Sequence, residues 1–172
     1  MIGNDILCIA DEVYEHMVYN PLKHIRIATL EGMAERTLTI GSAGKSLSVT
    51  GWKTGWVIGP VELVQPVQRL WVNTMGSGVT PVQTAVGRCF EHEMKISGTR
   101  HPAEDPNSFF RRLTEDTLRP KRDRMAHLIE SIGLQPIVPE GGYFIIADAT
   151  DYRDVVGVDN GDQRWDVKCI SF

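Results

Sequence analysis

Cysteine is scarce in this 172-residue chain. Its three cysteines, Cys8, Cys89 and Cys169, lie far apart, are odd in number and form no C-x-x-C pair, which excludes a disulfide framework and a zinc site and makes a reducing compartment the default. An excess of positive charge is also missing. The 18 Lys and Arg stand against 22 Asp and Glu, a net charge of -4, so nothing supplies the basic field that nucleic acid or an anionic membrane surface requires. No apolar run approaches the roughly 18 residues of a membrane helix, and residues 1–10 carry neither a basic stretch nor a small-residue cleavage site. With no targeting segment in view, the expected location is the cytoplasm or the mitochondrion. What remains is 42% hydrophobic and 23% charged, the balance of an ordinary globular protein that can bury roughly 70% of its unfolded surface.

Residues 6–10 (ILCIA) are continuously apolar and are closed by Asp11 and Glu12, as expected of a short strand buried on both faces of a parallel sheet. With so little chain ahead of this run, the sequence is expected to begin in mid-fold. Residues 37–40 (TLTI) are mostly β-branched and lead straight into Gly41-Ser42-Ala43-Gly44, while residues 56–58 lie between Gly55 and Gly59-Pro60. Three such strands predict an open, mainly parallel α/β sheet.

A helix is expected from near Val61, with Pro66 kinking it or confining it to its first turn. Thr80-Pro81-Val82-Gln83 reads as a capping box that starts a second helix, with Thr80 as the cap. Residues 98–107 read as an exposed loop, and residues 109–132 as a charged helix interrupted by Pro120 and stopped by Gly133. Residues 134–139, Gly141-Gly142 and residues 143–147 then read as strand, tight turn and strand. This α+β character sets an expected domain boundary near Asn107.

Two motifs fall short. Gly44-Lys45-Ser46 after a strand suggests a phosphate-binding P-loop, but the glycine that motif needs five residues before Gly44 is Thr39. His92-Glu93 begins H-E-x-x-H, but the second histidine's position is Ile96, so His92 is expected to be a solvated helix residue.

A different constellation fits. Ala10-Asp11-Glu12-Val13-Tyr14, then Ser42-Ala43-Gly44-Lys45, then Thr50-Gly51-Trp52-Lys53-Thr54-Gly55-Trp56 resemble, in order and spacing, the fold-type I aminotransferases that use pyridoxal 5'-phosphate. Residues 27–60, Lys121-Arg122-Asp123-Arg124-Met125 and Pro139-Glu140-Gly141-Gly142-Tyr143-Phe144 are most similar to the kynurenine–oxoglutarate transaminases, also called cysteine-S-conjugate β-lyases. The resemblance covers residues 6–149. It implies part of the cofactor-binding large domain over residues 1–107, part of the α+β small domain over 108–150, and a divergent tail over 151–172.

The resemblance also assigns roles. Lys45 matches the lysine whose amine condenses with the cofactor aldehyde and later moves the α-proton. Asp11 matches the carboxylate that keeps the pyridine nitrogen protonated, and Tyr14 the phenol bonded to the ring oxygen. Ser42 and Lys53 match the hydroxyl and the cation that hold the phosphate, Lys53 acting as a point charge where an arginine would fork. Taken singly, Asp11 reads as a turn residue, Tyr14 as a packed aromatic, and Lys45 and Lys53 as solvated surface; together they read as a cofactor site. Trp52 and Trp56 are expected to be core packing.

The implied reaction moves an amino group between an L-amino acid, such as kynurenine or glutamine, and a 2-oxo acid, with β-elimination from cysteine conjugates as a companion. A homodimer is implied for a full-length form. Family members carry a Gly-rich phosphate-binding turn, a ring-stacking aromatic and an Asn-Pro-x-Asn-Pro-Thr-Gly segment upstream of the first strand, and a carboxylate-clamping arginine late in the small domain. None is matched here, and neither Arg153 nor Arg164 has the clamp's context. These 172 residues alone are therefore expected not to catalyse transamination. The alternative reading is a truncated product that acts by association or has no role.

Overall fold

The computed structural model of the chain describes residues 6–98 and 105–152. The middle of the expected loop, Cys169, and residues 153–172 of the expected tail lie outside the described residues. Two compact units form. The first runs to Thr117 and includes Glu140–Gly142; the second comprises Leu118–Pro139 and the chain from Tyr143.

The first unit is built on a three-stranded sheet in the order β1 (Cys8–Asp11), β2 (Thr37–Ser42), β3 (Gly55–Ile58). The two strands β1 and β2 are parallel, with Cys8 opposite Thr37 and Asp11 opposite Ile40. β3 runs antiparallel to β2, from Thr39 opposite Ile58 to Ser42 opposite Gly55, so only one of the two pairings is parallel as expected. The reason lies in the connection. The Ala43 amide donates to the Thr54 carbonyl at 3.0 Å, closing residues 43–54 on themselves at one end of the sheet. A parallel return needs a crossover that spans the strand length.

The expectation that β1 is buried on both faces also fails. Ala10 is buried, but Ile9, its neighbour on the opposite face of the sheet, is 71% exposed, and Ile58 at the end of β3 is 62% exposed. Helix α2 (Val61–Met75) follows a short α1 (Ala43–Ser46) and continues through Pro66. It loses a single N–H there, at a position where later bonds carry the helix on. None of its residues is fully buried, and no helix among the described residues is long and apolar enough to cross a membrane.

α3 (Thr80–Ser97) begins one residue earlier than the capping box implied. Val79 is its cap and Thr80 already helical, with the Gln83 amide bonded to the Val79 carbonyl at 3.1 Å. It ends at Gly98, whose left-handed backbone (φ 54°) suits glycine. His92 is exposed on this helix, whereas its neighbour Glu93 is buried. An aromatic cluster forms the centre of the unit: Trp56 meets Phe90 edge-on at 5.5 Å, Phe90 lies 6.0 Å from Phe110, and His16 stacks on Phe110 at 4.1 Å. Trp56 thus packs as expected. Trp52 does not: it is 43% exposed, because it sits on the outer 3-10 turn Thr50–Trp52 rather than on a strand.

Residues 109–131 are helical throughout, as α4 (Phe109–Arg112), a π-helical stretch Leu113–Leu118 and α5 (Arg119–Ser131). Pro120 lies at the start of α5. The wider π turns before it relieve the clash that its ring would make with an α-helical carbonyl one turn back. The compositional change near Asn107 does not divide the units, because the Ser108 hydroxyl and the Phe109 amide both bond Glu93 on α3.

In the second unit β4 (Gln135–Ile137) pairs antiparallel with β5 (Ile146–Asp148), and α5 packs against β4. Arg122 on α5 donates to the Pro139 carbonyl at 3.2 Å. The second strand starts three residues later than expected, and Gly141-Gly142 is not a hairpin turn between the two. Gly141 bridges to Val18, the Gly142 amide donates to the Met17 carbonyl at 2.7 Å, and the Tyr19 hydroxyl donates to the Gly142 carbonyl at 2.8 Å. These residues are used in the first unit.

Candidate active site

The carboxyl end of β2 delivers Ser42 into a tight connection, and α1 places Lys45 one turn further on. Ala43 and Gly44 beside it are buried. A Cβ on Gly44 would lie 3.0 Å from the Thr50 Cα and 3.3 Å from the Ser42 Oγ, so only glycine lets the Thr50 backbone approach this closely. The Thr50 hydroxyl locks that approach by donating to the Gly44 carbonyl at 3.1 Å. Lys53 then ends the 3-10 turn in a left-handed conformation (φ 52°, ψ 40°). A lysine adopts this backbone only where its surroundings impose it.

Together these residues line an open cavity of about 340 Å³ that includes Ser42, Gly44, Lys45, Thr50, Lys53 and Thr54. None of the residues lining it is acidic. Two lysines and a serine hydroxyl in one concavity suit a small anion that also carries a group reactive toward an amine. Three of the five expected site residues, Ser42, Lys45 and Lys53, are therefore brought together.

The other two lie on the neighbouring strand end and do not line this cavity. Asp11 is the last residue of β1 and exposed, directly opposite Ile40, which itself borders the cavity. Tyr14 occupies the turn that follows, its ring close to Gly142. Sequence reasoning missed Thr50, whose hydroxyl fixes the connection, and Glu12, a buried carboxylate between Asp11 and Tyr14. Glu12 accepts the Ile27 amide at 2.9 Å and the His24 Nε2 at 3.0 Å. Its signal was the charged residue that continues straight on from an apolar strand.

A parallel strand pair with an anion-suited, lysine-bearing cavity at its carboxyl end is the arrangement of open α/β folds, which place their ligand crevices there. The chain belongs to the aminotransferase class I and II family, whose profile matches residues 3–161. It is 46% identical over 171 residues to kynurenine–oxoglutarate transaminase 3 of Mus musculus, covering 99% of this chain and 36% of that protein. The Homo sapiens protein of the same name is 52% identical over 149 residues, covering 87% and 31%. Among solved structures, N-succinyldiaminopimelate aminotransferase from Mycobacterium tuberculosis superposes with a TM-score of 0.75 at 34% identity, covering 92% of this chain and 37% of that one. The fold is accordingly that of the fold-type I aminotransferases. The chain spans about a third of the length of these relatives. Both the profile and the mouse alignment run past Ala149, further than the sequence motifs reach.

Proposed function

We propose that the protein is a pyridoxal-phosphate-dependent aminotransferase that moves an amino group between an L-amino acid and a 2-oxo acid. The observation that carries this reading is the single cavity shared by Ser42, Lys45 and Lys53. The donor set fits the cofactor: a hydroxyl and a lysine for its phosphate, and a second lysine for its aldehyde, with no acidic residue in the lining to oppose them. When bound, pyridoxal phosphate supplies an electron sink for the substrate α-carbon.

The chain's own residues do the rest. Ser42 donates its hydroxyl hydrogen to the phosphate, and Lys53 adds a positive charge there. Lys45 would be the amine that holds the cofactor through its aldehyde and, once a substrate amine has replaced it there, the base that accepts the substrate α-proton. Asp11 holds a proton at the ring nitrogen, and Tyr14 donates to the ring oxygen. A cysteine conjugate would lose its β-substituent after the same proton abstraction by Lys45. Kynurenine, glutamine and related aromatic or sulfur-containing amino acids are the proposed donors, in keeping with the relatives' names. The full-length form is read as a homodimer.

Borohydride reduction with pyridoxal phosphate, followed by peptide mass mapping, tests the assignment. The label is expected on Lys45; a label on Lys53 or Lys121 instead would overturn it. A donor panel tests the substrate class, since turnover with branched-chain or acidic donors alone would remove the kynurenine assignment. The exposed apolar residues Ile9, Ile58 and Leu70 favour the second reading, a product that acts by association without catalysis. Lys45-dependent turnover would exclude it.

A further inference from the structure

We infer that Glu12, with His24, is a positioning residue that fixes the turn carrying Asp11 and Tyr14 beside the cofactor site; this rests on the function proposed above. Glu12 is only 6% exposed, and a buried carboxylate is costly unless its oxygens are matched. Both are matched, and by one neighbouring segment: Oε1 accepts the Ile27 amide at 2.9 Å and Oε2 accepts from the His24 Nε2 at 3.0 Å. The backbone of Glu12 is held as well. Its amide donates to the Ile40 carbonyl at 3.0 Å, carrying the parallel ladder one residue past Asp11, and its carbonyl accepts the Glu15 amide at 3.0 Å.

Four hydrogen bonds therefore converge on the residue next to Asp11 and two before Tyr14. Outside them, the Arg26 Nε donates to Glu15 at 2.8 Å and ties the same two segments a second time. Residues 24–26, which Glu12 and Glu15 hold, belong to no helix or strand. The buried carboxylate thus anchors an irregular segment against the one strand end where two expected cofactor contacts leave the sheet. Loss of the Glu12 side chain frees the turn and moves both contacts together, whereas Lys45, Ser42 and Lys53 stay on their own connection.

The test uses the protein as expressed from its own gene, with pyridoxal phosphate as the probe. Glu12→Ala is expected to speed amide hydrogen exchange at Ile27, to weaken cofactor binding by about tenfold to a hundredfold, and to change the visible absorption band of the bound cofactor. Glu12→Gln is expected to restore the band and bring affinity within about threefold of wild type. Its amide oxygen can take the Ile27 N–H or the His24 Nε2 hydrogen bond, and its shape matches the carboxylate it replaces. His24→Ala, which alters only a partly exposed partner, is expected to shift the band in the same direction and to serve if Glu12→Ala does not fold. Faster exchange at Ile27 with an unchanged band and affinity would make Glu12 purely structural and overturn the inference. A wild-type protein that forms no band at all would overturn the proposed function instead, whatever the exchange shows.

Discussion

Glu93 on α3 accepts the Ser108 hydroxyl at 2.8 Å, and the same carboxylate oxygen takes the Phe109 amide at 2.8 Å. Ser108 is fully buried and in turn caps α4 by accepting the Phe110 amide at 3.2 Å. Glu93→Ala strands a buried hydroxyl and a helix-start N–H together, so it is expected to cost about 2–4 kcal/mol of stability. Glu93→Gln, whose amide oxygen can still accept, is expected to cost about 1 kcal/mol. Urea unfolding measures both, and equal losses for the two variants would show that bulk rather than bonding matters at this site.

Lys53 holds a left-handed backbone (φ 52°) that disfavours any side chain bearing a Cβ by about 1–2 kcal/mol. Lys53→Gly is therefore expected to raise stability without ligand by about 1 kcal/mol, part of the relief being offset by glycine's larger entropy when unfolded. The same variant is expected to weaken pyridoxal phosphate binding by at least about tenfold, since a charge-assisted phosphate contact contributes about 1.5–3 kcal/mol. A melting curve and a cofactor titration on one protein sample check the opposite signs. If both quantities fall, the conformation is not strained.

The residues that lie close in sequence were the ones best read from it. The Ser42, Lys45 and Lys53 spacing placed three side chains in one cavity because a single short connection carries them all. The positions of the three strands in the first unit followed from local apolar runs, and Gly133 (φ 84°) ended its helix for the local reason that glycine tolerates that backbone. What was misread depends on distant partners. The direction of β3 is set by the bond from Ala43 to Thr54, and the role of Gly142 by Tyr19 far upstream. Glu93 drew notice only as part of an incomplete H-E-x-x-H motif, and its burial depends on the contact with Ser108.

His16 stacks on Phe110, and its side chain is 18% exposed. Burial lowers its pKa from the ordinary 6.5; Glu15 opposes the shift, while Arg26 and His24 add to it. The folded protein thus binds this proton less readily than the unfolded chain. Stability is expected to fall as pH drops below 6.5, by at most about 1.4 kcal/mol per pH unit, and this contribution levels off below the folded value. His16→Phe keeps the stacking and should remove that part of the slope. Urea midpoints compared at about pH 7.5 and 5.5 test it; an identical acid loss in the variant would absolve His16.

Asp11 ends β1 opposite Ile40, a wall of the cavity, and its proposed task is to keep a proton on the cofactor ring nitrogen. A carboxylate at contact raises such a pKa by about 1–3 units, so its loss should reduce the protonated fraction by up to about tenfold to a thousandfold, the full factor being reached where the pH lies above the ring pKa in both proteins. Asp11→Asn leaves Ser42, Lys45 and Lys53 in place on β2 and its connection, which predicts that cofactor binding is largely kept. Exchange of the substrate α-proton with deuterated solvent should slow by the same factor as the protonated fraction, because that step depends on the ring as an electron sink. Proton NMR of the amino acid, recorded without any 2-oxo acid, isolates this step from the rest of turnover. Wild-type exchange in Asp11→Asn, with the cofactor demonstrably bound, would take Asp11 out of the chemistry and leave it as the end of a strand.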